Sequence, residues 1–327
     1  MEANIEALEE QLATVAPVLQ AARDEMAKVL VGQRALVDRL LIGLLANGHV
    51  LIEGVPGLAK TTAVKALSDA LALEFKRIQF TPDLLPADVV GTQIYQPSSG
   101  EFTTKKGPVF THVLLSDEIN RAPPKVQSAL LESMQERQVT LGDTTYVLPA
   151  PFLVLATQNP LEQEGTYPLP EAQMDRFLMK LSVDYPSLEE EMEILERSSK
   201  AVPSLSHVAS AEDILAAQAL VSQVHISDVL RRYIVDLVRA TRAPEAVDAE
   251  LRGTLSCGAS PRASIALAAC ARAHAVLDGR GYALPEDVKA VAPDVLRHRM
   301  LLTYEAEAEG LSADRVVERI LAAVEMQ

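Results

Sequence analysis

Lys60 and Thr61 close the string GVPGLAKT, which runs from Gly54 to Thr61. Glycines at 54 and 57 let a backbone turn so that its N–H groups face a phosphate. A helix beginning at Lys60 adds the favourable dipole of its N-terminus. In that setting Lys60 reaches the β- and γ-phosphates of a nucleotide, and Thr61 places its hydroxyl on magnesium. The usual pattern, G-x-x-x-x-G-K-[ST], requires a strand before it and a helix after it. Here Ala59 stands where that pattern has glycine, which demands a backbone near helical dihedrals. Alone, the string can also be read as a Gly/Pro turn bearing an exposed lysine.

A second group is Asp117 and Glu118, which end the apolar run VLLSDE. In open parallel sheets ligands sit at the carboxyl ends of the strands. Both motifs then open onto one crevice, with Asp117 in the magnesium shell and Glu118 as the base that deprotonates an attacking water. Taken singly, the pair also fits a solvated acidic strand end. Asn159, at the end of FLVLATQN, can reach the same water from an adjacent strand. A strand-end Asn is also an ordinary turn residue.

The elements that must position these residues follow from pattern. Residues 5–30 read as one or two helices. Strands are expected at 49–55, 75–80, 111–118, 152–159 and 177–183. Helices are expected at 60–72 and from the double proline 123–124 to about 137. Gly142-Asp143 signals a hairpin over 139–149. The alternation implies a mainly parallel sheet covered on both faces. After about Tyr185 helical runs take over, with helices expected at 211–222, 227–241, 261–278, 285–300 and 313–325 and a connector over 198–210. Residues 1–185 are thus expected to form an α/β domain with N-terminal helices, and 186–327 an all-helical domain with its connector.

Composition narrows the function. The chain has 327 residues, 48% hydrophobic, with a formal net charge of -15. That is enough for two domains and a sizeable core. The negative charge repels polyphosphate. Aromatics are only 4%, so stacking platforms for single-stranded nucleic acid are poorly supplied. Protein partners are expected, and no nucleic acid. Cys257 and Cys270 fit no zinc or redox spacing, and the histidines show no metal spacing. The acidic start MEANIEALEE has no signal-peptide character, no apolar run approaches a membrane span, and a cytoplasmic location is expected.

The combination GVPGLAKT, SDEINRAPPKVQSALLESMQERQVT, LATQNP, LPEAQMDRF and GASPRA resembles the MoxR-type AAA+ ATPases over about 31–298. The resemblance implies a P-loop αβα sandwich with a five-stranded sheet, followed by a helical lid, with ATP or ADP bound between them. It implies that Val31, Gly32 and Gln33 line the adenine pocket. Gly54, Val55, Pro56, Gly57, Leu58, Ala59, Lys60 and Thr61 form Walker A, with Thr62 beside the nucleotide. Asp117 and Glu118 form Walker B, Thr61 and Asp117 being the magnesium ligands. Asn159 corresponds to sensor 1, Arg176 to an arginine finger offered to a neighbouring subunit, and Arg262 to sensor 2. Without the resemblance, Arg176 reads as a surface ion-pair residue. Arg262, following Pro261 at a helix start, opposes the helix dipole, which a phosphate ligand would resolve.

The resemblance further implies a homo-oligomer, usually a hexameric ring. It also implies a partner carrying a von Willebrand factor A domain and a client protein that is remodelled, matured or activated. The segment 83–110 matches an insertion facing the pore side of the ring, and the hairpin 139–149 matches the pre-sensor hairpin. Lys105 and Lys106 read as a solvated basic pair, and His49 and His298 as packing or hydrogen-bonding residues. Two other functions compete with this one: a nucleic-acid-directed motor, against which charge and composition argue, and a nucleotide-sensing scaffold, against which the complete set Lys60, Asp117, Glu118 and Asn159 argues.

Overall fold

The chain is described by a computed structural model over residues 2–55, 57–160, 165–201 and 203–326, with side chains from residue 5. Its central sheet is built from β1 (Val50–Glu53), β2 (Phe75–Gln79), β3 (Val113–Asp117), β4 (Leu153–Gln158) and β5 (Met179–Ser182), in the order β2-β3-β4-β1-β5. The pairings β2–β3, β3–β4 and β4–β1 are parallel. Successive residues of β1, β3 and β4 (Val50 to Ile52, Val113 to Leu115, Leu153 to Ala156) are all buried. That is the mark of strands covered on both faces, and it explains why these runs are continuously apolar rather than alternating.

The strands fall where the apolar runs predict, each a residue or two shorter at the ends. Helix Lys60–Ala70 follows the phosphate loop, and helix Pro124–Glu136 follows the acidic pair with proline in its first turn. The one or two helices expected over 5–30 are a single helix, Glu2–Ala27. Its Leu8, Leu12, Leu19, Ala22 and Met26 are buried, at the spacing of one helix face. The hairpin expected over 139–149 pairs Gln138–Leu141 with Thr144–Val147 around Gly142.

The insertion is more ordered than a connector. A short helix, Pro86–Val90, leads into an antiparallel hairpin of Gly91–Gln96 with Glu101–Lys106. Gly91 and Gly107 meet at its base so closely that a Cβ on either would strike facing backbone.

The chain divides into two compact units. One holds residues 21–176 and 181–215; the other holds Met1–Gln20, Phe177–Lys180 and Ala216–Gln327. Grouped by contacts, residues 1–20 and 186–215 thus fall differently from the expected 1–185 and 186–327. Helix Leu188–Ser198, for which no element is expected from the sequence, and the run to 215 group with the sheet. Backbone contacts explain this. Arg197 donates to the carbonyls of Ala27 and Lys28 at 3.2 and 3.1 Å. The Ser206 N–H donates to Glu25 at 3.0 Å and that of Val208 to Ala70 at 2.8 Å.

In the helical unit, helices Asp228–Ala240, Pro261–Leu277 and Ala313–Ala323 start at serine caps, Ser227, Ser260 and Ser312, each accepting from a first-turn N–H. The helix expected over 285–300 stops at Leu296. A two-stranded ribbon, Leu255–Cys257 with Leu301–Leu302, also interrupts the expected all-helical pattern.

Candidate nucleotide-binding and hydrolysis site

The sheet order fixes the site. β1 delivers the phosphate loop, β4 delivers Asn159 and β3 delivers the acidic pair, all from the carboxyl ends of neighbouring parallel strands. Gly54 N–H bonds Gln158 O at 3.4 Å, so the loop starts level with the end of β4. A Cβ on Gly54 would come within 2.9 Å of Val183 O, so the first loop residue must be glycine. Gly57 turns the loop with φ +89°. Val55 and Leu58 complete the described part of the loop. Pro56 lies outside the described residues.

Ala59 departs from expectation. Its φ is +54° and ψ +18°, the left-handed region and not the right-handed helical dihedrals that a Cβ prefers. Such a conformation costs an L-residue about 1–2 kcal/mol. The position keeps the geometry glycine would supply, with the side chain tolerated. Helix Lys60–Ala70 begins immediately after, with Thr61 and Thr62 in its first turn.

The Lys60 ammonium donates to Gly54 O, folding the side chain across its own loop. Burial lowers its pKa, while Asp117, Glu118 and Glu53 push the other way. That interaction places the loop lysine in the field of both carboxylates.

The acidic pair is held by residues the sequence reading did not single out. Thr157 donates its hydroxyl to Asp117 Oδ1 at 2.5 Å, and Thr157 Oγ1 accepts from the Glu118 N–H at 2.9 Å. Arg77 donates to Asp117 Oδ2 from Nη2 at 2.6 Å and from Nε at 3.2 Å. Gln79 Nε2 and Arg121 Nη1 donate to Glu118 Oε2 at 2.8 and 3.0 Å. Arg77 Nη2 also bonds Gln79 Oε1 at 3.0 Å, closing a network across the edge of the sheet. Glu118 itself has φ +56° and ψ +52°. A glutamate held there stores strain of order 1–3 kcal/mol and turns sharply off the strand. Asn159 is 6% exposed.

Beside the loop opens a cavity of about 590 Å³, lined among others by Val31, Gln33, Leu58, Ala59, Thr62, Ile194 and Arg197. Gln33 donates from Nε2 to Leu58 O at 3.3 Å, while its Oε1 is buried and has no hydrogen-bond partner among the described residues. Gly32 has φ +74°, and a Cβ there would collide with the Glu190 carboxylate. The wall formed by helix Leu188–Ser198 is unusual. Its Leu188, Met192 and Leu195 share one face yet are 70%, 65% and 74% exposed, and none of its residues is buried.

Arg176 is exposed, two residues beyond helix Glu171–Met174. Arg262 is exposed in the first turn of helix Pro261–Leu277, within the helical unit. Lys105 and Lys106 lie on the insertion hairpin, away from the acidic pair in sequence. Lys106 sits over the rings of Phe110 and Tyr146 at 4.9 and 5.0 Å, so its role is partly packing. His49 bridges Met134 O and Val154 N–H, both at 3.0 Å.

Arg77, Gln79 and Thr157 are legible only after folding. Register sets Gln79 opposite Asp117 and Ser116 opposite Ala156. The one sequence signal is the polar alternation of Arg77 and Gln79 along β2.

A parallel sheet presenting a phosphate loop and an acidic pair at the carboxyl ends of two strands that flank a third defines a P-loop nucleotide-binding protein. Residues 49–179 match the ATPase family associated with various cellular activities (AAA), and residues 249–320 match an AAA lid domain. The chain is 50% identical over 316 residues to Chaperone MoxR1 of Mycobacterium tuberculosis, covering 96% of this chain and 84% of that one. It is 36% identical over 304 residues to Protein MoxR of Paracoccus denitrificans, covering 86% and 89%. The crystal structure of a candidate ATPase from Cytophaga hutchinsonii matches it with a TM-score of 0.92 at 50% identity, over 98% of each chain. The chain belongs to the MoxR family of AAA+ ATPases.

Proposed function

We propose that this protein hydrolyses ATP at the Lys60–Asp117–Glu118 site and uses the cycle for chaperone-like remodelling, maturation or activation of a client protein. The observation that carries the reading is the phosphate loop after β1 and the acidic pair of β3 emerging at the carboxyl ends of the two parallel strands that flank β4, with Lys60 in the field of both carboxylates. The cavity fits the base of the nucleotide: it adjoins the loop, and Gln33, whose Oε1 has no hydrogen-bond partner among the described residues, lines it and would present that oxygen to an exocyclic amine on a small turn of its amide. ADP would occupy the same place. Val31 lines the same cavity, and Gly32, between it and Gln33 in the chain, is assigned to the adenine pocket with them.

Thr61 and Asp117 would hold a magnesium ion, which when bound neutralises charge on the phosphates. Lys60 binds the β- and γ-phosphates. Glu118 takes the proton of the attacking water as general base, and Asn159 orients that water. Arg176, offered by a neighbouring copy, stabilises charge on the transferring phosphoryl, and Arg262 takes the sensor 2 role.

The assembly we propose is a homo-oligomeric ring, with a hexamer the first expectation. A von Willebrand factor A domain protein and a client are its partners, in the cytoplasm and without nucleic acid. The relative named Chaperone MoxR1 supports a chaperone-like role. No described helix is long and apolar enough to cross a membrane.

The test is phosphate release by wild type and by Glu118→Gln, alongside binding of a fluorescent ATP analogue. Loss of the base should lower turnover by roughly 10²–10⁴-fold while the analogue still binds. Unchanged turnover in the variant overturns the assignment.

A further inference from the structure

Arg297, His298 and Arg299 follow directly on helix Pro285–Leu296, and all three close on one short run of backbone. Arg299 donates from Nη2 to Phe177 O at 2.6 Å and from Nη1 to Leu178 O at 3.1 Å. His298 Nε2 donates to the same Phe177 O at 3.1 Å. Arg297 Nη1 donates to Lys180 O at 2.6 Å. Arg297 is itself braced by Asp294 and Asp314, both at 2.8 Å.

These bonds are costly ones to build. Arg299 is 9% exposed and His298 6%, and burying a charge is unfavourable unless its donors are satisfied. A carbonyl only accepts, so Nε2 carries the imidazole hydrogen. His298 Nδ1 is then buried with no partner among the described residues, and burial holds the ring neutral. Three consecutive polar side chains thus each donate to main-chain oxygens of Phe177–Lys180, Arg297 while also paired with Asp294 and Asp314. The grip does not depend on which residues occupy 177–180, only on where that backbone lies.

That backbone is the continuation of Arg176. Phe177–Lys180 groups with the helical unit, while Arg176 is the last residue of the preceding segment of the other unit. One peptide bond separates the gripped carbonyl of Phe177 from the residue read as the trans-acting arginine.

We infer that Arg297, His298 and Arg299 are positioning residues for Arg176: they fix the backbone of Phe177–Lys180 to the helical unit and so set the pose in which Arg176 is presented to a neighbouring copy. The inference rests on the reading of Arg176 as a trans-acting group. Misplacing a catalytic group by about 1 Å can cost roughly 10²-fold in rate.

The test is complementation between full-length variants, with subunit exchange verified by a fluorescent label on each. Arg299→Lys keeps the charge but loses the fork. His298→Leu loses the donor, and His298→Gln restores a donor at the Nε2 position. Arg299→Lys and His298→Leu should lose about 10–100-fold in kcat with little change in the KM for ATP. His298→Gln should be close to wild type.

Mixed with Glu118→Gln subunits, the two weakened variants should regain activity, because their own Lys60 and Glu118 are intact and the partner supplies Arg176. Mixed with Arg176→Ala subunits they should not. Recovery with Arg176→Ala, or none with Glu118→Gln, overturns the positioning role. The control mixture of Arg176→Ala with Glu118→Gln separates the two ideas. If it stays inactive, the trans reading fails and the inference with it; if it recovers while the others do not, only the inference fails. Should a buried substitution prevent folding, Arg297→Lys, at a side chain 14% exposed, decides by the same mixtures.

Discussion

Thr157 donates its hydroxyl hydrogen to Asp117 Oδ1 at 2.5 Å from the neighbouring strand. The Thr157 hydroxyl oxygen in turn accepts the N–H of Glu118 at 2.9 Å, so one buried hydroxyl sets the pose of the carboxylate assigned to magnesium and the backbone of the base. Thr157→Val keeps the shape and removes both bonds. It should lower turnover by roughly tenfold, equivalent to about 1.4 kcal/mol of transition-state stabilisation. It should also destabilise the fold by about 1–3 kcal/mol, because the Glu118 N–H is left unpaired. Steady-state kinetics and urea unfolding measure the two effects. Wild-type values for both would show that the bridge is incidental.

Lys60→Ala removes the cation that the phosphate loop folds over itself. Hydrogen bonds to charged groups are worth about 1.5–3 kcal/mol, so affinity for ATP should fall by roughly 10–150-fold. Calorimetric titration reads this directly. An unchanged dissociation constant would move the nucleotide elsewhere.

Gln33 offers the buried acceptor in the cavity. Gln33→Leu should weaken ATP binding by roughly 2–10-fold, the worth of one neutral hydrogen bond, and narrow the preference for ATP over GTP. Paired titrations with the two nucleotides test it. A preference that survives intact places base recognition on other groups.

His49 links stability to acidity. Burial, first among its causes, pushes its pKa from 6.5 down to about 4, so between those values the unfolded chain binds more protons than the folded one. Stability is therefore full above about pH 6.5 and is lost as pH falls toward 4, by up to an amount on the order of 3 kcal/mol. His298 acts in the same direction. Urea unfolding from pH 7 to 4 should show the decline, and His49→Gln, which takes up no proton, should flatten it. Identical slopes in the two proteins would assign the acid sensitivity to other groups.

The site was legible where an apolar strand stops abruptly on functional residues. VLIEGVPG and VLLSDE carry their own boundaries, because a buried parallel strand cannot continue into glycines or paired carboxylates. The left-handed backbones of Ala59 and Glu118 were not legible, since neither residue type signals a positive φ and tertiary packing imposes it. Nor was the clasp of Arg77 and Gln79, which depends on a register 40 residues distant in sequence for the pair Arg77–Asp117. The insertion hairpin hid for another reason. GTQIYQ and EFTTKK expose residues on both faces, so no alternation of buried and solvated positions announces a strand. Helix Leu188–Ser198 has the right apolar spacing but buries none of it, and it lies against a serine-rich connector that obscures its end.

That helix carries a consequence for measurement. An element whose residues are all at least partly exposed gains little from the hydrophobic core, and its amide hydrogens should exchange with solvent through low-energy local openings. Ile194, Arg197 and Ser198 nevertheless wall the cavity, so whatever fills that space supplies contacts the rest of the chain withholds. Isotope uptake across 188–198 becomes a gauge of occupancy, responding to a bound molecule through the rigidity it confers on its own container.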